Sequence, residues 1–129
     1  MKRFHLIFGV LVLVVFLLTG QYMDRFHYHL MYMPDGPRML YRTRHIFILM
    51  SGLLHLGIGS YFRYHAGKAR RTLQIVGSIL ITIAPVLFTI AFFYEPHLAD
   101  LNTPLSLLGM ILIATGTLLH VFSGVGRQV

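Results

Sequence analysis

LQIVGSILITIAPVLFTIAFFY, residues 73–94, carries no formal charge over 22 positions. A helix of that length rises about 33 Å, enough to cross a hydrocarbon core of about 30 Å. Pro85, near its centre, removes one helical hydrogen bond and predicts a bend. Three more apolar stretches flank it in the chain, at 4–22, 46–62 and 105–123. The stretch at 46–62 is the shortest, 17 residues between Arg44 and Arg63, and predicts a crossing with little tilt. The stretch at 105–123 follows Asn102, Thr103 and Pro104, a cap with proline in the first turn, and runs into Gly124, Val125 and Gly126 as a stop.

The composition agrees with that pattern. Of 129 residues, 56% are hydrophobic and 12% charged, and the mean hydropathy is +0.69, values foreign to an ordinary water-soluble domain. The expected fold is an all-alpha integral membrane protein, a compact four-transmembrane-helix bundle forming a single domain over 1–129, with an outer loop at 23–45. Lys2 and Arg3 ahead of the first stretch also suit a signal peptide. The Thr19, Gly20, Gln21, Tyr22 ending lacks a small-x-small cleavage pattern, so an uncleaved span is the expectation. Without cysteine there is no disulfide, thiolate metal site or covalent c-type haem attachment.

The net charge of +7 is an orientation signal. Four crossings put both termini on one side together with Lys2, Arg3, Arg63, Lys68, Arg70, Arg71 and Arg127. On the other side Arg25, Arg38, Arg42 and Arg44 balance Asp24, Asp35, Glu95 and Asp100. The positive-inside rule therefore makes both termini cytoplasmic, and no nucleic-acid partner is needed to explain the basic residues. Tyr22, Tyr28, Tyr32, Tyr41, Tyr61, Tyr64 and Tyr94 all fall at or beyond span ends, where an amphipathic ring meets the head groups.

Helices in lipid associate through close packing and a few polar contacts. Gly52 and Gly59, then Gly77, Ala84 and Ala91, then Gly109, Gly116 and Ser123 repeat at seven, which predicts small inward faces with Leu, Ile and Phe mainly toward lipid. The spans offer two histidines well inside apolar sequence, His55 and His120, each four residues from glycine. A buried imidazole needs a partner or a role. One reading is axial ligation of a haem b, giving one-electron transfer. The other is interhelical hydrogen bonding, with Ser51, Thr115 or Thr117 as partners. His45 lies ten residues before His55 and is placed at the outer head-group boundary beside Arg44; His5 and His65 have ordinary places near the cytoplasmic surface.

Between the first two spans His27, His29, Met31 and Met33 alternate with Tyr28, Leu30 and Tyr32. In an extended segment these four share a side, and imidazole with thioether suits copper, especially Cu(I). The competing reading is an interfacial loop ending in a turn at Pro34, Asp35, Gly36 and Pro37. Glu95 and His97 lack the HExxH spacing of a zinc hydrolase and are read as loop residues. No paired carboxylates, phosphate loop or filter segment stands out.

The run Leu17, Leu18, Thr19, Gly20, Gln21, Tyr22, Met23, with the later Arg38 to Leu49 containing Arg42, Thr43, Arg44, His45 and Ile46, resembles small four-span proteins of the bacterial inner membrane. That resemblance covers nearly the whole chain; it implies location and carries no activity, cofactor or site residue. The preferred expectation is a non-enzymatic structural or accessory membrane protein, with self-association or a larger membrane complex as its setting. Haem-dependent electron transfer through His55 and His120 is the alternative, and the outward copper loop the third reading.

Overall fold

The structure, a computed structural model, describes residues 1–63, 67–98 and 102–124. Four α-helices make up most of it: α1 Lys2–His27, α2 Asp35–Tyr61, α3 Lys68–Tyr94 and α4 Pro104–Gly124. Short 3-10 helices follow α1 at Tyr28–Leu30 and α3 at Glu95–His97. No strand occurs among the described residues. The chain is thus all-helical, and three of its helical segments, those containing α1, α3 and α4, are long and apolar enough to cross a membrane. His65, Tyr64, Asp100, Arg127 and the expected stop at Val125 and Gly126 lie outside the described residues.

The segment expected as an outer loop is largely helical. α1 continues to His27, and α2 begins at Asp35, eleven residues before its apolar stretch. Pro34, Asp35, Gly36 and Pro37 form the start of α2 rather than a free turn. Proline is compatible with that place because the first helical N–H groups have no acceptor within the helix. Between the helices Tyr28, His29 and Leu30 have φ of 46°, 57° and 65°. This left-handed run replaces the extended geometry on which the alternation of His27, His29, Met31 and Met33 depended.

Packing runs in chain order, α1 against α2, α2 against α3, and α3 against α4. The small faces turn inward as the period of seven predicts: Gly52, Gly59, Gly77, Ala84, Ala91, Gly109, Gly116 and Ser123 are all buried. Their value is clearest at Gly77 and Gly116. A Cβ on Gly77 would stand 2.8 Å from the Gly116 carbonyl oxygen, and one on Gly116 would stand 2.7 Å from the Gly77 oxygen. Only glycine lets α3 and α4 approach this closely. Ile48, Ile81, Phe88 and Phe92 fill the buried core, while Leu17, Leu18, Ile79, Leu107 and Phe122 lie on the exposed faces. Tyr28, Tyr32, Tyr61 and Tyr94 are exposed, but Tyr41 is fully buried and belongs to the core.

Candidate functional site: a histidine and serine cluster shared by four helices

α3 explains why a cluster forms where it does. Proline at position 85 has no N–H, so the carbonyl of Ile81, four residues earlier, loses its ordinary helical donor. The Nε2 of His55, from α2, lies 3.2 Å from that oxygen. A carbonyl only accepts, so His55 carries its proton on Nε2 and donates it there. In neutral His55 the Nδ1 is then an acceptor, and His5 Nδ1 lies 2.8 Å from it. His5 must donate from Nδ1, which leaves its Nε2 to accept from the Ser78 hydroxyl at 3.0 Å. Ser78 Oγ in turn accepts from His120 Nε2 at 3.1 Å.

The result is one directional chain, His120 to Ser78 to His5 to His55 to the Ile81 carbonyl, with every tautomer fixed from one end. It takes a side chain from each of the four helices: His5 from α1, His55 from α2, Ser78 from α3 and His120 from α4. His5, His55 and Ser78 are completely buried. Aromatic rings close around them, with Phe8 4.8 Å from His55 and Phe62 5.8 Å from His5 between ring centroids. His120 is half-buried and borders a cleft of about 360 Å³ that also touches Phe62, Arg63 and Gln74.

Two expectations change here. His5, expected to have an ordinary place near its end of the bundle, is fully buried at the centre of the cluster. The hydrogen-bonding partners of His55 and His120 are His5, Ser78 and a backbone carbonyl, whereas Ser51 and Thr117 bond back to the carbonyls of Ile48 and Ile113 in their own helices. The signal for His5 was present in α1, whose buried residues His5, Gly9, Val12 and Thr19 form one helical face.

The haem reading does not fit the residues as they stand. Both nitrogens of His55 are engaged, and His55 and His120 are linked through His5 and Ser78 rather than facing a shared gap. The four proposed copper ligands also diverge. His29 Nε2 is 2.7 Å from Asp24 Oδ1, Met31 is exposed, and Met33 packs against the hydrophobic core. His27 lies against the rings of Tyr22 and Tyr41, its Nε2 buried with no hydrogen-bond partner. Among the described residues no group of three or more His, Asp or Glu is arranged to hold a metal ion.

No family model, curated protein or solved structure matches this chain. Its chemistry therefore rests on its own geometry.

A second polar cluster joins α2, the end of α3 and α4. Glu95 is fully buried and Arg44 is 3% exposed. Arg44 donates from Nε at 2.8 Å to Glu95 Oε2, with its terminal nitrogen 2.7 Å from the same oxygen. The backbone N–H of Ser106 donates to Glu95 Oε1 at 2.9 Å, and the Ser106 hydroxyl to Oε2 at 2.5 Å. Glu95 thus fills the capping role at α4 that the sequence assigns to Asn102, whose side chain instead accepts from the adjacent Thr103 N–H. Tyr41 OH is 3.2 Å from His97 Nε2 beside this cluster. Glu95, expected as a loop residue, lies in the short 3-10 helix after α3 and is buried there against a buried Arg44. His45 is likewise tied inward: the Thr19 hydroxyl donates to the Phe16 carbonyl and so accepts from His45 Nδ1 at 2.9 Å, with the imidazole stacked on Phe16.

Proposed function

We propose that this chain is a four-span module of the bacterial inner membrane, with both termini cytoplasmic and a non-enzymatic structural or accessory role. It acts in copies of itself or within a larger membrane complex. The observation that carries the reading is the convergence of one polar side chain from each helix into a single directional hydrogen-bond chain. In lipid such bonds, with close packing, hold helices together. Side chains bonded to one another across all four helices favour a bundle that persists as a unit.

The same geometry supports α2 as the fourth span. Arg44, His45 and His55 lower its mean hydropathy, yet each is turned toward a neighbouring helix and bonded there. Polar residues directed into a bundle are compatible with a crossing, whereas the same residues facing lipid are not. α2 has 27 residues, about 40 Å, ample for the distance. The basic residues Lys2, Arg3, Arg63, Lys68, Arg70 and Arg71 favour the cytoplasm for the end that holds them.

The absence of native cysteine makes the test clean. Gly36→Cys and Arg70→Cys should react with a membrane-impermeant maleimide from opposite faces of sealed vesicles. Labelling from one face would overturn the four-span reading. An absorption spectrum of the gently solubilised protein should show no Soret band. A band that His55→Ala removes, or a specific turnover by the purified protein, would overturn the non-enzymatic role.

A further inference from the structure

α1 and α3 each pack more extensively on α2 than on one another, and they meet directly where Tyr22 touches Phe92 and Phe93. A groove of about 480 Å³ lies between them near the His27 end of α1, lined in part by Val15, Leu18, Gln21, Tyr22, Arg25 and Phe93. A second groove of about 280 Å³ shares Val15 and continues to Pro85. The lining changes character in the order in which a phospholipid does. Arg25 and Gln21 are exposed, one helical turn apart on the same face, and neither has a hydrogen bond or ion pair among the described residues. Asp24, the nearest carboxylate in sequence, is engaged by His29. Toward the middle of α1 the lining becomes Tyr22, Leu18 and Val15. From Arg25 to Val15 is about 15 Å along the helix, one leaflet of hydrocarbon.

We infer that this groove binds an anionic phospholipid, with its phosphate on Arg25, its ester carbonyls at the Gln21 amide and one acyl chain along Leu18, Val15 and Pro85. The guanidinium fork matches a phosphate in charge and shape. A second copy of the chain fits this face poorly. Close helix association in lipid favours small residues at the contact, and the small residues of α1 are directed elsewhere: Gly9 faces Leu56 and Gly20 faces His45, both on α2. The site depends on α1 and α3 alone, so it goes beyond the four-span reading and does not require it.

The chain has no tryptophan, so Leu18→Trp gives a single emitter in the groove, and Leu108→Trp gives one on the exposed face of α4. The full chain is placed in phosphatidylcholine vesicles holding either brominated phosphatidylglycerol or brominated phosphatidylcholine as quencher. One arginine near a membrane surface contributes about 1 kcal/mol toward an anionic lipid, so phosphatidylglycerol is expected at Leu18→Trp with a preference of about fivefold. Leu108→Trp should show little preference, and adding Arg25→Gln to Leu18→Trp should bring the two lipids to parity. Equal quenching by both lipids, a preference that survives Arg25→Gln, or one shared equally by Leu108→Trp would overturn the site. So would protection of Leu18→Trp from both quenchers with a dimer in native mass spectrometry, which would assign the groove to a second copy.

Discussion

The histidine chain and the Arg44–Glu95 cluster lie eleven residues apart on α2, about 16 Å, and tie helices together by different means. The histidine chain is neutral, directional and distributed: four helices contribute, each bond is a modest one, and the order of donors descends from a single backbone oxygen. The Arg44–Glu95 cluster concentrates a full charge pair and two Ser106 donors on one carboxylate. Lipid-level hydrogen bonds between helices are individually small, averaging about 0.6 kcal/mol. A buried charge stripped of its partner is far more costly. The first cluster should therefore weaken by degrees and the second should fail abruptly.

The largest expected effect comes from breaking the charge pair on one side. Glu95→Gln leaves Arg44 charged and buried, and should cost about 3–5 kcal/mol in an unfolding titration in mixed micelles. Adding Arg44→Met should recover more than half of that loss. If the double variant is no better than the single one, the pair is not the unit described.

Next in size is the contact that holds α3 to α4. Gly116→Ala would place a Cβ 2.6 Å from Ile81 Cγ1 and 2.7 Å from the Gly77 oxygen, and should cost about 1–3 kcal/mol by overpacking. Gly57→Ala, which would meet nothing within 4 Å, should cost nothing in the same assay.

His5→Phe removes the middle of the neutral chain and should cost about 1 kcal/mol. Its loss should not add to that of Ser78→Ala, because the two share one bond. Fully additive losses would separate His5 from Ser78.

The smallest change in stability, and the sharpest spectroscopic one, is expected at Pro85→Ala. The new N–H restores the helical donor to Ile81, so the oxygen exchanges one partner for another and stability should move by less than about 1 kcal/mol. Nitrogen-15 chemical shifts should show His55 protonated on Nε2 in the parent and a mixture of tautomers in the variant. An Nδ1 proton on His55 in the parent would reverse the direction derived for the whole chain.

The parts legible in sequence were those that depend on local period. The glycine and alanine stripes could be read because a spacing of seven holds one face toward a neighbour, and the lost bond at Pro85 because it follows from covalent structure. The partner that repairs it could not be read, because His55 and Ile81 stand 26 residues apart, and the Arg44–Glu95 pair, 51 residues apart, was hidden for the same reason. Hydropathy marked the apolar portion of α2 and not its helical length, since residues 35–45 are polar yet helical. The alternation from His27 to Met33 resembled a strand, but three successive left-handed residues turn the backbone there. Glu95 was misplaced for a related reason: its acceptors are satisfied by a helix that starts nine residues later.

The hydrogen bond from His55 to Ile81 exists because another residue, Pro85, lacks a hydrogen atom. Two positions on different helices, neither bonded to the other, are thereby bound to a common fate. A descendant that regained an amide proton at 85 would free the imidazole at 55 to drift, and one that lost the imidazole would leave an oxygen begging for a donor. Loss of the imidazole at 55 is therefore expected only where that amide proton has returned.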